Sequence, residues 1–270
     1  MVRRMPARNA PDNGGVDRVP GGDSVDFGFR QIPAADKAGL VRGVFDSVAG
    51  RYDLMNDLMS GGAHRLWRAA LVDWLNPRPG LELVDVAGGT GDIAFRVRDR
   101  VAARGDTCRI TVCDLTPAMV EIGRDRAVDR GILDGIDWLA GDAEAMPLGD
   151  RTVDAYTIAF GLRNVTRLDV ALEEARRVLR PGGRFLCLEL SHVVLPLLKP
   201  LYDRYSFAVL PMLGQAVTGD REAYQYLVES IRRFPDQAAL ADRLTAAGFG
   251  RVRVRNLFGG VAALHSAWRL

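Results

Sequence analysis

The run Asp85-Val-Ala-Gly-Gly-Thr-Gly-Asp92 constrains this chain more than any other stretch. An apolar segment, Leu81–Ala87, leads into it, and a helical pattern, Asp92–Ala103, leaves it. Glycines at a strand-to-helix turn let the backbone pass close to a ligand and aim helix N–H groups at it. Such a turn belongs at the carboxyl edge of a parallel sheet, so it commits its neighbours to strand–helix–strand units. The fit to a dinucleotide fingerprint is incomplete, because Ala87 stands where the first glycine would. Alone, the loop indicates a nucleotide-like ligand or merely a tight turn.

The following residues keep that commitment. Arg109–Asp114 reads as a strand, and Thr116-Pro117 as a helix N-cap with proline in the first turn, opening a helix to about Arg130. Ile136–Ala140 is a short strand ending at Gly141-Asp142, and Val153–Phe160 a longer one rich in β-branched and aromatic residues. A helix from Leu168 to Leu179 stops at Arg180-Pro181-Gly182-Gly183, and Arg184–Leu190 is the next strand. Two β-patterned runs, Arg251–Leu257 and Val261–Leu270, flank Phe258-Gly259-Gly260 and predict an antiparallel hairpin. The expected fold is α/β, a Rossmann-like, mostly parallel seven-stranded sheet that ends in that hairpin, with helices on both faces and right-handed crossovers.

Residues 1–35 lack periodicity and are expected to be a flexible tail, leaving 36–270 as a single domain. Within it, 36–80 reads as a helical cap. Leu40, Val41, Val44, Phe45 and Val48 share one face, and a second helix, His64 to Leu75, ends at Asn76-Pro77-Arg78-Pro79-Gly80. Residues 195–234 read as a helical insertion. Its first part, Leu195–Gly214, is mostly apolar yet holds Lys199, Asp203 and Arg204, and Asp220–Phe234 and Asp236–Ala247 read as helices.

The 270 residues are 48% hydrophobic and 26% charged, enough for a sizeable core, and the net charge of +2 excludes a strong pull on nucleic acid. Cys108, Cys113 and Cys187 lie in apolar runs with spacing that suits neither zinc nor a disulfide framework. No apolar h-region follows Arg3, Arg4 and Arg8, and acids interrupt any transit-peptide character. No uncharged run reaches the ~18 residues of a bilayer span. A cytoplasmic location is expected.

Asp114 ends the second strand about 20 residues past the loop, where a carboxylate can accept from both hydroxyls of a ribose. Asp142 ends the third strand, where it can accept from an adenine amine while the Ala143 N–H donates to a ring nitrogen. Asp85 precedes the loop, where it would repel a diphosphate and attract the amino group or sulfonium of a methionine moiety. This tilts the ligand from NAD toward S-adenosylmethionine, although a helix-dipole partner is the plainer reading of Asp85. Phe160-Gly161-Leu162-Arg163-Asn164 follows the fourth strand on the same rim, either to hold a phenolic or quinol oxygen or as an ordinary loop with Asn164 as a cap. His192 follows the fifth strand as a candidate base. His64 and His265 read as surface or packing residues.

Several segments together resemble the ubiquinone/menaquinone biosynthesis C-methyltransferase family. Val44-Phe45-Asp46-Ser47-Val48-Ala49 through Arg51-Tyr52-Asp53, with Met55-Asn56-Asp57 and His64-Arg65-Leu66-Trp67, is similar to its N-terminal signature. Asp85–Asp92 matches its cofactor loop, alanine included, and Phe160–Val165 its second signature. Arg180–Gly183 and Phe258–Gly260 also fit, and the resemblance covers about 36–270. It implies the class I S-adenosylmethionine-dependent methyltransferase fold and methylation of a ring carbon on a demethylmenaquinol or a 2-methoxy-6-polyprenyl-1,4-benzoquinol.

Carried over by position, Thr90, Asp114, Asp142 and Ala143 would contact the cofactor, together with Asp85, Gly89 and Gly91 from the loop. Ala159 stands where the family often has serine, so it can offer backbone only. Arg163 would bind a developing phenolate or position a water, with Asn164 and Tyr52 assisting, since a guanidinium is a poor base. The lipophilic quinol makes Leu195–Gly214 a candidate wall for the isoprenoid tail or a membrane-facing surface, against a buried cover helix or subunit contact. Peripheral membrane contact, contact with a quinone-biosynthesis complex and a homodimer are the partners implied. An NAD-dependent oxidoreductase and a non-catalytic assembly subunit of the same fold are the rival readings.

Overall fold

The computed structural model describes residues 23–48, 57, 60–195 and 221–270, with the side chains of 45–48 and 221–223 also outside the description. Seven strands form the main sheet in the order β5-β4-β3-β6-β7-β9-β8. These are β3 (Glu82–Val86), β4 (Arg109–Asp114), β5 (Ile136–Ala140), β6 (Val153–Ala159), β7 (Leu179–Leu190), β8 (Gly250–Leu257) and β9 (Ala262–Trp268). The first five pair in parallel, while β9 runs antiparallel to both β7 and β8. The strand order reverses beside β3, so the β3 and β6 carboxyl ends open the crevice that such sheets offer a ligand.

Helices cover both faces, which is why the central strands read as continuous apolar runs rather than alternations. On one face Val84, Val86, Tyr156, Ile158 and Phe185 meet Ala171, Leu172, Ala175 and Val178 of α5 (Leu168–Val178) and Leu240 and Leu244 of α7 (Gln237–Ala246). On the other, Leu83, Ile110, Val112 and Leu186 meet Trp67, Leu71 and Val72 of α2 (His64–Leu75) and Ile93, Ala94 and Val97 of α3 (Asp92–Ala102). Helix α6 (Arg221–Arg233) adds Leu227 and Ile231 to that second core. Cys113 and Cys187 are packed strand residues, and burial pushes the Cys113 thiol up to about 12.

Three expectations change. Part of the supposed tail has regular structure: β1 (Ser24–Phe27) and β2 (Arg30–Pro33) form a hairpin, and α1 (Ala34–Val48) starts directly after it. Its stabilisation comes from α6, where the Glu229 carboxylate accepts the Phe29 N–H at 3.0 Å, a contact no local pattern encodes. Arg180–Gly183 ends α5 as expected but lies inside β7 as a bulge, since pairing jumps from Val153–Leu179 to Ala155–Arg184. Arg269 Nη1 holds the junction by donating to the carbonyls of Arg177 (2.9 Å) and Leu179 (2.7 Å). Leu40, placed on the buried face of α1, is 42% exposed, whereas Val41 is buried.

Helix α4 (Pro117–Asp129) carries a glycine at 123 for a tertiary reason. A Cβ there would stand 2.2 Å from the Trp138 ring, and one on Gly91 would stand 2.5 Å from the same ring. The half-buried indole thus stands against two glycine backbones. Alanine normally improves a helix interior by ~1 kcal/mol over glycine. Here Gly123→Ala should instead destabilise by about 1–3 kcal/mol through overpacking, read as a lower midpoint in urea unfolding, and a stabilised variant would refute the clash.

Candidate active site

Four loops meet at the carboxyl ends of β3, β4, β5 and β6, and two of them are in close contact. Ala87 after β3 and Phe160 after β6 both adopt left-handed φ, 48° and 60°. Such φ values cost a non-glycine residue roughly 1–2 kcal/mol and persist only where packing dictates them. Packing dictates them here, since a Cβ on Gly161 would lie 2.3 Å from the Ala87 Cβ. The alanine that breaks the dinucleotide fingerprint is thus a wall of the crevice.

Asp114 ties the glycine loop to the next strand. Its Oδ2 accepts the Gly89 N–H at 2.8 Å and its Oδ1 the Thr116 N–H at 2.9 Å. Burial pushes this carboxyl up, and the Thr116 and Gly89 N–H groups oppose that. An ionised carboxylate offers about four acceptor sites, so capacity remains for hydroxyls. Asp142 Oδ1 accepts the Glu144 N–H at 2.9 Å, which folds Gly141–Ala145 into a tight turn and leaves Ala143 at the pocket wall. Arg126 grips the loop from outside. It donates to the Thr90 hydroxyl and carbonyl and pairs with Asp92 at 3.2 Å, while Arg68 holds the other Asp92 oxygen at 2.9 Å.

The main pocket runs between these loops, floored by Val86, Ala87 and Gly89 and walled by Asp114, Asp142, Ala143, Phe160 and Asn164. Leu115 and Met119 give it an apolar side, and Ala38 and Val41 of α1 close it from above. A narrower recess shares Ala87 and Gly89 with it and reaches Asp85, Thr90 and Ala159. The structure therefore brings together Asp85, Gly89, Thr90, Asp114, Asp142, Ala143, Ala159 and Asn164.

It does not bring in Gly91, which caps α3 with φ 87° and accommodates Trp138. Nor does it bring Arg163 to the pocket. That side chain turns inward, where Nη1 donates to Glu189 Oε1 and to the Phe160 carbonyl, both at 2.6 Å. Tyr52 lies outside the described residues. His192 packs through Nε2 against the Phe234 carbonyl at 3.0 Å, and His265 is buried against the Gln237 carbonyl. His64 is buried between Asp57 and Arg68, and burial holds its pKa below the usual range.

Other buried polar groups escaped the sequence. Glu144 accepts the Thr166 N–H at 2.6 Å, the Arg167 N–H at 2.7 Å and Arg167 Nε at 2.8 Å, stapling the β5 turn to the loop after β6. Lys37 Nζ donates to the Val165 carbonyl at 3.0 Å and secures α1 over the pocket. Tyr226 donates to Asn164 Oδ1 at 3.1 Å. These are contacts between distant segments, and no periodicity announces them.

Asp85 shows what kind of ligand the recess suits. Thr157 donates to its Oδ1 at 2.7 Å, while Oδ2 is buried without a partner among the described residues. Burial pushes the carboxyl up to about 7 despite Thr157 and Arg68. A buried acceptor with nothing to bind is costly unless a donor or cation arrives. A positively charged group fits there and a pyrophosphate does not. With Asp114 at the end of the next strand, able to accept from ribose hydroxyls, the donor set fits S-adenosylmethionine.

Comparison with known proteins agrees. The profile of the ubiE/COQ5 methyltransferase family matches residues 32–269. A ubiquinone/menaquinone biosynthesis C-methyltransferase UbiE of Paracoccus denitrificans is 59% identical over 244 residues, 90% of this chain and 96% of that protein. The UbiE of Brucella abortus is 51% identical over 268 residues, 96% of this chain and 98% of that protein. The fold matches the crystal structure of a SAM-dependent methyltransferase from Thermotoga maritima, described as a possible histamine N-methyltransferase. That match has TM-score 0.60 and 20% identity, and covers 85% of this chain and 100% of the other.

Asp85 also sets a pH dependence. Its folded pKa of about 7 lies above the ordinary carboxylate value of 3.8, so folding takes up a proton between those limits. The stability of the ligand-free chain should fall as pH rises through that window, by a few kcal/mol at ~1.4 per pH unit. Asp85→Asn should flatten that part of the profile. Parallel profiles for the two proteins in chemical unfolding would show that Asp85 holds no such proton.

Proposed function

Because the chain belongs to the ubiE/COQ5 methyltransferase family, we propose that it moves the methyl group of S-adenosylmethionine to a ring carbon of a polyprenylated quinol in ubiquinone or menaquinone biosynthesis. The carrying observation is the unpartnered, buried Asp85 Oδ2 beside the glycine loop, with Asp114 and Asp142 at the two neighbouring strand ends. An NAD-dependent oxidoreductase would have to place a diphosphate against that carboxylate. A non-catalytic subunit would have no use for it.

When bound, S-adenosylmethionine supplies an electrophilic methyl on a sulfonium. Asp85 would face its positive end, Asp114 its ribose, and Asp142 with the Ala143 N–H its adenine, while Thr90, Gly89 and Ala159 shape the recess. On the acceptor side, the ring carbon gains the methyl and loses its proton, and the neighbouring oxygen carries negative charge in between. Asn164 lines the pocket where that oxygen would lie, and Tyr52, from the segment similar to the family's N-terminal signature, would assist it. Arg163 acts one step back, because its buried pair with Glu189 holds the loop that carries Asn164. Holding donor and acceptor atoms ~3–3.5 Å apart supplies much of the acceleration.

The quinol is lipophilic, so Leu195–Gly214 enters this reading as the wall for its isoprenoid tail or a surface set against the inner face of the membrane. Beyond Leu195 that run lies outside the described residues. Among those described, no helix is long and apolar enough to cross a membrane. Contact with other enzymes of quinone synthesis, or a homodimer, would serve the same poorly soluble substrate.

Incubation with S-adenosylmethionine and a short-chain demethylated quinol should yield a product heavier by one methylene, and no transfer to any quinol tested would sink the assignment. Asp114→Asn should weaken S-adenosylmethionine binding about tenfold or more, the loss of a charge-assisted acceptor, as measured by calorimetry. Arg163→Ala should lower stability by roughly 3–5 kcal/mol, since Glu189 would be left buried and unpaired. Adding Glu189→Gln should recover part of it, and a double variant no more stable than Arg163→Ala would show that the pair is not what holds the loop.

A further inference from the structure

Asn164 is held from behind. Its side-chain carbonyl accepts the Tyr226 hydroxyl at 3.1 Å, and Tyr226 belongs to α6, far along the chain. An amide whose oxygen is fixed by a hydroxyl presents its two N–H groups on the opposite side. Asn164 lines the main pocket, so that opposite side is where a substrate oxygen would lie.

Tyr226 is itself immobilised. Its ring is buried and stacks on Phe27 of β1, with centroids 4.3 Å apart and planes at 24°. The hairpin that supplies Phe27 is pinned one turn further along α6. The Phe29 N–H donates to Glu229 Oε2, and a Cβ on Gly28, which sits at φ 60°, would stand 2.3 Å from that oxygen. Gln225 donates to the other Glu229 oxygen at 2.8 Å. Burial pushes the Tyr226 hydroxyl up to about 12, with Arg163 opposing and Glu189 adding to the shift, so it is a proton donor at neutral pH.

We infer that Tyr226 is a positioning residue for the proposed methyl transfer: its hydroxyl fixes the Asn164 carbonyl, so that the amide N–H groups face the pocket and hold the quinol oxygen beside the carbon that accepts the methyl. This rests on the quinol reading given above. It also gives the N-terminal hairpin a task, since the hairpin sets the side chain that sets the amide. Donors fixed before reaction stabilise charge that develops during it without reorganising.

The test is a double-mutant cycle in the full chain with a short-chain quinol. Tyr226→Phe keeps the stack on Phe27 and removes one hydroxyl. It should lower kcat about five- to tenfold, the worth of one neutral hydrogen bond, with S-adenosylmethionine affinity unchanged. In an Asn164→Ala background the same change should cost nothing more, because the group it orients is gone. A structural role alone would cost as much in either background, and that result overturns the inference, as does full activity of Tyr226→Phe. Asn164→Asp supplies a second arm: it still accepts from Tyr226 but has no N–H to offer. It should lose kcat at least as severely as Asn164→Ala, and turnover within twofold of wild type would refute the donor role. If wild type itself methylates no quinol, the functional reading falls first and the positioning role falls with it.

Discussion

Asp114 binds two loops at once. One carboxylate oxygen takes the Gly89 N–H from the turn after β3, and the other takes the Thr116 N–H at the start of α4. Neither loop has a β-ladder to satisfy its backbone at that point, and buried N–H groups must be paired. One side chain at the end of β4 therefore holds the glycine turn open and fixes the next helix. The shape of the pocket rests on these loops being tied at fixed spacing by polar bonds, while contact between Ala87 and Gly161 fixes the loops after β3 and β6.

That arrangement explains why the site tolerates so much burial of charge. Glu144, Glu189 and Asp114 are all buried, yet each accepts at least two hydrogen bonds, mostly from backbone N–H groups of loops around the pocket. They act as fasteners between segments distant in sequence. Asp85 is the exception, with one oxygen satisfied and the other bare. Among the described residues, the carboxylate left with a bare oxygen is thus the one beside the glycine loop, which is the observation behind the ligand role proposed for it.

The sheet was legible because parallel strands buried on both faces leave a run of apolar residues that needs no tertiary knowledge to see. Arg109–Asp114 and Ile136–Ala140 have the observed bounds, and the strand-end carboxylates Asp85, Asp114 and Asp142 follow from them. What could not be read was side-chain direction. Arg163 looked like a hand reaching into the pocket, and it is an anchor, since its partner Glu189 sits in what reads as an ordinary strand. The hairpin at Ser24–Pro33 was invisible for the same reason. Its strands are short and polar, and what holds them is a face of α6 some two hundred positions away.

The indole of Trp138 stands against two glycines, one in the ligand loop and one in the middle of a helix. This makes positions 91, 123 and 138 a single unit of variation. A descendant of this sequence cannot enlarge either glycine unless the ring shrinks in step. A small residue at 138 would leave a void between loop and helix large enough to let the loop wander. Drift at these three sites should be correlated and slow, although at most one of them faces the chemistry. Part of what a comparison of related chains would score as conservation of the ligand loop is conservation of a packing contact behind it.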